Sequence, residues 1–68
     1  MYVITNNGVG ELSKYKNKDV CEIVGINEVT LIKLKKHREP IRKVTAYCIT
    51  KFLNSEAEIE EYFERVGN

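Results

Sequence analysis

Residues 17–36, Asn17-Lys18-Asp19-Val20-Cys21-Glu22-Ile23-Val24-Gly25-Ile26-Asn27-Glu28-Val29-Thr30-Leu31-Ile32-Lys33-Leu34-Lys35-Lys36, decide the fold of this chain. Val20, Ile23 and Val24 recur at helical spacing and are expected to line the inner face of a helix, Asn17 is a suitable N-cap, and Asp19 places a negative charge in the first turn, where it suits the helix dipole. Gly25 ends this helix because glycine takes a positive φ without steric cost. Two residues later Asn27 caps a second helix, with Glu28 in its first turn and Leu31 and Leu34 facing inward. Pro40 disfavours helix at Glu39, so this element is expected to run over about Glu28 to His37.

Outward from this pair the spacing stays helical. Val9, Leu12 and Tyr15 predict a short helix over 9–16, opposed at its start by Gly8 and Gly10. A helix over about Arg42 to Leu53 would place Ile41, Val44 or Thr45, Cys48, Ile49, Phe52 and Leu53 on one side. Ser55 and Glu58 fit a capping box opening an acidic helix over 55–66, with Ile59, Phe63 and Val66 as its stripe. Tyr2-Val3-Ile4 reads as a short strand or as an arm packing on a partner. The expectation is an all-α, compact four- or five-helix fold, with a short N-terminal strand or arm. Residues 1–68 form one domain, because a chain this short cannot build two cores. Its stability is expected at roughly 3–5 kcal/mol unless it self-associates.

Composition removes several classes of function. The apolar share of 43% suits a globular protein. No apolar run approaches the roughly 20 residues needed to span a bilayer, and Met1-Tyr2-Val3-Ile4-Thr5 lacks the regions of a signal peptide, so a cytoplasmic protein without membrane contact is expected. Cys21 and Cys48 read as small buried apolar side chains, since neither a disulfide nor a zinc site has the context or the ligands it needs. The glutamates near the end read as a solvated face, Tyr47 and Tyr62 as core or interface residues, and His37 as a surface group. No nucleophile–base pair and no phosphate-cradling glycine loop is visible, so no enzyme activity, metal, cofactor or small-molecule substrate is expected.

Charge is distributed unevenly. The net charge is +1, yet residues 1–54 carry ten Lys/Arg against five Asp/Glu, whereas residues 55–68 carry Arg65 against five glutamates. Between Lys33 and Lys43 six residues are basic and only Glu39 opposes them. A basic stripe of this kind is the footprint expected of a nucleic-acid-binding surface.

Two helices joined at Gly25-Ile26-Asn27 match the helix-turn-helix, whose second helix enters the DNA major groove. A small residue is needed where the helices cross, and Cys21 stands there. A glycine is needed four residues on, and Gly25 stands there. Val20, Val24, Ile26, Leu31 and Leu34 fall in register to lock the pair. Residues 17–36 resemble the helix-turn-helix of the Cro/repressor (Xre-type) family of phage and bacterial regulators. Pro40-Ile41-Arg42-Lys43 and Thr45 to Leu53 resemble that family's fourth helix. The sequence departs from the family pattern at Cys21, where alanine is usual, in its glycine-rich first helix and at its N-terminus.

The resemblance implies base-edge contacts from Asn27, Glu28, Val29, Ile32, Lys33 and Lys36, with Arg38, Arg42 and Lys43 on phosphates. The expected partner is double-stranded DNA, bound by a homodimer that acts as a transcription regulator. Ile59, Tyr62, Phe63 and Val66 are the candidate dimer face, or else simply close the core. Two apolar residues, Val29 and Ile32, on the outer face would equally suit a protein-interaction adaptor of antirepressor type on the same helical fold. Asn27 would cap its helix with or without DNA.

Overall fold

The computed structural model describes residues 1–67. The elements run β1 (Tyr2–Ile4), α1 (Asn6–Leu12), α2 (Asn17–Val24), α3 (Glu28–His37), α4 (Lys43–Leu53), a 3-10 turn at Ile59–Glu61 and β2 (Phe63–Arg65). The chain is therefore mostly helical but not all-α, and the departure lies at its two ends. The strand alternative for Tyr2-Val3-Ile4 is the one realised. Aromatic and β-branched residues favour the extended backbone, and Tyr2 and Ile4 turn inward while Val3 stays half-buried.

β1 pairs antiparallel with β2, Tyr2 opposite Arg65, Val3 opposite Glu64 and Ile4 opposite Phe63. On its other edge the Tyr2 and Ile41 backbones exchange two hydrogen bonds, each of 2.8 Å. The N-terminal strand thus lies between the C-terminal strand and the linker that joins α3 to α4.

The helix expected over 55–66 does not form, and its residues show why. Asn54 Oδ1 accepts from the Glu56 N–H at 3.0 Å and the Asn54 carbonyl accepts from the Ala57 N–H at 3.0 Å, so a side-chain-supported turn takes the place of the capping box. A helix here would stack Glu56, Glu60 and Glu64 one turn apart, an unfavourable like-charge row. The chain instead buries Ala57, Ile59, Tyr62 and Phe63 in the single core cluster, with Ile4, Leu12, Val20, Leu31, Leu34 and Ile49. Of the two roles open to Ile59, Tyr62 and Phe63, closing the core is the one seen; Val66 is half-buried.

α1 starts earlier than the 9–16 expected. Thr5 caps it, accepting from the Gly8 N–H at 3.2 Å while its hydroxyl donates to the Tyr62 carbonyl at 3.0 Å. Gly8 is needed for close approach: a Cβ there would lie 2.5 Å from the Tyr62 carbonyl oxygen and 2.6 Å from Ile4 Cγ1. The glycine that weakens the helix locally lets it lie against the sheet.

α4 spans the expected residues but is rotated relative to the expected face. Ala46, Ile49 and Thr50 are buried, whereas Cys48 and Val44, the latter expected there as an alternative to the half-buried Thr45, are exposed, and on α2 Ile23, expected on the inner face, is exposed too. Cys21 is half-buried, so the two thiols are not the matched buried pair expected. Asn17 is the first residue of α2 rather than its cap, and Lys16 occupies the cap position without a side-chain bond.

Candidate functional site

The turn between α2 and α3 follows the sequence closely. Gly25 takes φ 85°, and its N–H donates to the Cys21 carbonyl at 2.9 Å, closing α2. Asn27 Oδ1 accepts from the Thr30 N–H at 2.8 Å, so Asn27 is the N-cap of α3. Leu31 and Leu34 anchor α3 in the core. Its opposite side carries Val29, Ile32, Lys33 and Lys36, all exposed, with Val29 at 62% and Ile32 at 37%. These four fall on one face because their spacing of three and four residues matches the helical turn.

The basic residues around α3 divide into two groups. Lys35 Nζ donates to Asn17 Oδ1 at 2.9 Å and ties α3 to the start of α2. Arg38 ends α3 in the left-handed conformation, with φ 53°. Its guanidinium donates to the Ile4 carbonyl at 3.2 Å and to Asn6 Oδ1 at 2.7 Å. Arg38, expected on phosphate, is thus engaged inside the fold. Lys33, Lys36, Arg42 and Lys43 are exposed, and among the described residues the one ion pair is Lys14–Glu11 at 3.1 Å. Four cations therefore remain unpaired along α3 and the start of α4.

Arg42 caps α4 without a side-chain bond, so among the described residues the first-turn N–H groups of α4 have no acceptor from their cap side chain. A cleft of about 180 Å³ beside α3 is lined by Thr30, Lys33, Leu34, Glu39, Pro40 and Ile41, and so sets Glu39 on the same wall system as Lys33. Glu28 is exposed at the first turn of α3. Burial pushes the Cys21 thiol above its ordinary value, and the Glu28 carboxylate adds to the shift.

Sequence reasoning missed the ties made by Lys35 and Arg38. A lysine at the flank of the buried stripe was a signal for the first. Arg38 pairs with residues more than thirty positions away, for which local spacing carries no signal. Among the described residues no group of three His, Cys, Asp or Glu is close enough to hold a metal ion, and no helix is long and apolar enough to cross a membrane.

Set beside known proteins, the chain matches no family model, no curated protein and no solved structure.

Proposed function

We propose that this chain is a helix-turn-helix regulator of transcription that lays the outer face of α3 in the major groove of double-stranded DNA. The observation that carries the reading is the set of four unpaired cations, Lys33, Lys36, Arg42 and Lys43, beside an α3 face that stands clear of the core. The resemblance of residues 17–53 to Cro/repressor proteins supports it. In this reading Lys33 and Lys36 reach base edges or phosphates, and Val29 and Ile32 meet thymine methyl groups. Arg42, Lys43 and the open first turn of α4 hold the phosphate backbone and set register. Asn27 orders the start of α3 through its cap, and Glu28 accepts from a cytosine amino group. Such a module buries too little surface alone for high specificity, so it acts as a two-fold pair.

The test is fluorescence anisotropy on a mixed-sequence duplex at rising salt. Binding appears near 50 mM salt, log K falls with log [salt] by roughly 0.9 for each phosphate neutralised, and Lys33→Glu with Arg42→Glu abolishes it. Absence of binding at about 50 mM salt, or binding indifferent to that double reversal, sinks the reading. One observation favours a second reading: the exposure of Val29 and Ile32 would serve a protein adaptor. In that case Ile32→Asp removes the partner, and the charge reversals leave it in place.

A further inference from the structure

We propose that Glu58 and Glu60 are positioning residues of the DNA-binding face: they draw Lys43 across a cleft, compete with phosphate for it, and so act as a brake on phosphate-driven binding. The proposal rests on the DNA reading and names a control on its phosphate contacts. Two buried anchors put the carboxylates in place. Ala57 and Ile59 are packed in the core, 1% and 7% exposed, while Glu58 and Glu60, which alternate with them, are exposed. Both glutamates line a cleft of about 270 Å³ whose other wall is Lys43, Tyr47 and Lys51. Those three residues are spaced four apart and so share one side of α4. The turn that replaces the expected acidic helix thus faces the start of α4, fifteen or more positions back in the chain.

The two lysines of the cleft are not equivalent. Lys51 Nζ donates to the Ala57 carbonyl at 2.8 Å and to the Ser55 carbonyl at 3.3 Å, and it stands 5.4 Å from the centre of the Tyr47 ring. Its charge is taken up in fastening the acidic turn to α4. Lys43 is exposed and forms no ion pair among the described residues, so it is the cation that the carboxylates can still attract. Taken as a sphere, a cleft of this volume is about 8 Å across, within the Debye length of ~10 Å at 0.1 M salt. The attraction therefore acts without direct contact, and salt weakens it. A phosphate that approaches Lys43 is repelled by the same two carboxylates. Arg42 does not line the cleft and stays available to phosphate.

Anisotropy on the mixed-sequence duplex at about 50 mM salt tests it, with the full chain and with variants whose far-UV circular dichroism and Tm hold. Glu58→Gln and Glu60→Gln should each tighten binding about two- to threefold, the gain shrinking towards about 200 mM salt. Glu22→Gln makes the same change of net charge at the separate groove beside Tyr15 and should tighten binding less than about 1.5-fold. Beside Lys43→Gln the gain from the two glutamine substitutions should fall by at least about half. Lys43→Gln should also lower the salt slope by less than about 0.9 in the unaltered chain and by about 0.9 once both glutamates are replaced. Retention on heparin, a polyanion without bases, should follow the same order, and it decides the matter even where the chain proves not to bind DNA. No tightening on either polyanion, a gain matched by Glu22→Gln, or a gain undiminished beside Lys43→Gln overturns the proposal.

Discussion

Alanine at Gly8 and alanine at Gly10 are one chemical change made two residues apart in α1, yet opposite outcomes are expected. In a helix interior Gly→Ala ordinarily stabilises by roughly 0.5–1 kcal/mol, because the unfolded chain loses freedom and the helix gains propensity. At Gly10 a Cβ meets nothing within 4 Å among the described residues, so this gain should appear in full. At Gly8 the Cβ would sit 2.5 Å from a backbone carbonyl oxygen, that of Tyr62, which no side-chain rotation can relieve. That same oxygen accepts from the Thr5 N–H at 2.9 Å and the Thr5 hydroxyl at 3.0 Å. Moving α1 away strains both bonds, each contributing about 1 kcal/mol net, and overpacking adds about 1–3 kcal/mol. Gly8→Ala should therefore destabilise by about 2 kcal/mol after the propensity gain is deducted. For a domain of this size 1 kcal/mol corresponds to about 4–8 °C, so Tm should fall by about 10 °C or more for Gly8→Ala and rise by about 2–8 °C for Gly10→Ala. Thermal unfolding followed at 222 nm gives both values. If Gly8→Ala raises Tm as Gly10→Ala does, the close approach of α1 to the sheet is wrong.

Other substitutions probe the core and the site. Thr50 is fully buried and its Oγ1 has no hydrogen-bond partner among the described residues, so Thr50→Val should raise stability by about 1 kcal/mol in urea unfolding; a loss would point to a partner for that hydroxyl. Arg38→Gln should cost stability through its ties to Ile4 and Asn6, reproduced in part by Asn6→Ala, while leaving the salt slope of DNA binding unchanged; a slope reduced by about 0.9 would put Arg38 on a phosphate instead. In dilute solution a thiol reagent should label exposed Cys48 well before Cys21, whose thiol is held protonated above its ordinary value of 9.0. The neutral thiol is the form the fold favours, so its contribution is intact below pH 9.0 and declines as pH rises through the raised value. Cys21→Ala should flatten that alkaline decline, which urea unfolding across the pH range reads directly.

The segment from Asn17 to Leu53 was legible because its signals are local. Gly25, Asn27 and Pro40 act on the backbone within a turn of themselves, and α3 spans the residues they mark. The ends of the chain were not legible for the opposite reason. β1 exists by pairing with β2 and Ile41, partners at sequence distances where spacing carries no information. The stripe Ile59, Tyr62, Phe63 and Val66 fits a helix by count, yet the row of glutamates between those residues opposes one, and a burial pattern alone could not weigh the two. On α4 the apolar residues Val44 and Cys48 imitated a core face. The side that packs inward is instead that of Ala46, Ile49 and Thr50. At the candidate site Val29, Ile32, Lys33 and Lys36 were named from the resemblance, and they are exposed because they lie away from the buried Leu31 and Leu34. The internal engagement of Lys35 and Arg38 needed tertiary structure.

That engagement limits what the basic run can do. Six cations lie between Lys33 and Lys43, and if all met phosphates the salt slope would approach about 5.4 per protomer. Lys35 is held by Asn17 and Arg38 by Ile4 and Asn6, and releasing either to the solvent side breaks a charged hydrogen bond that also positions α3. Four cations of the run remain, which caps its own share of the slope at about 3.6 per protomer. Lys16 and Lys18 are exposed as well and can add to the total, so the total alone does not decide the matter. A slope that falls by about 0.9 on Lys35→Gln or on Arg38→Gln would require the ties of α3 to open on binding, and with them the packing of α3 against α2 and β1. A slope indifferent to both substitutions is what a rigid α3 demands, so the pair reports whether α3 would bind as it stands or must rearrange first.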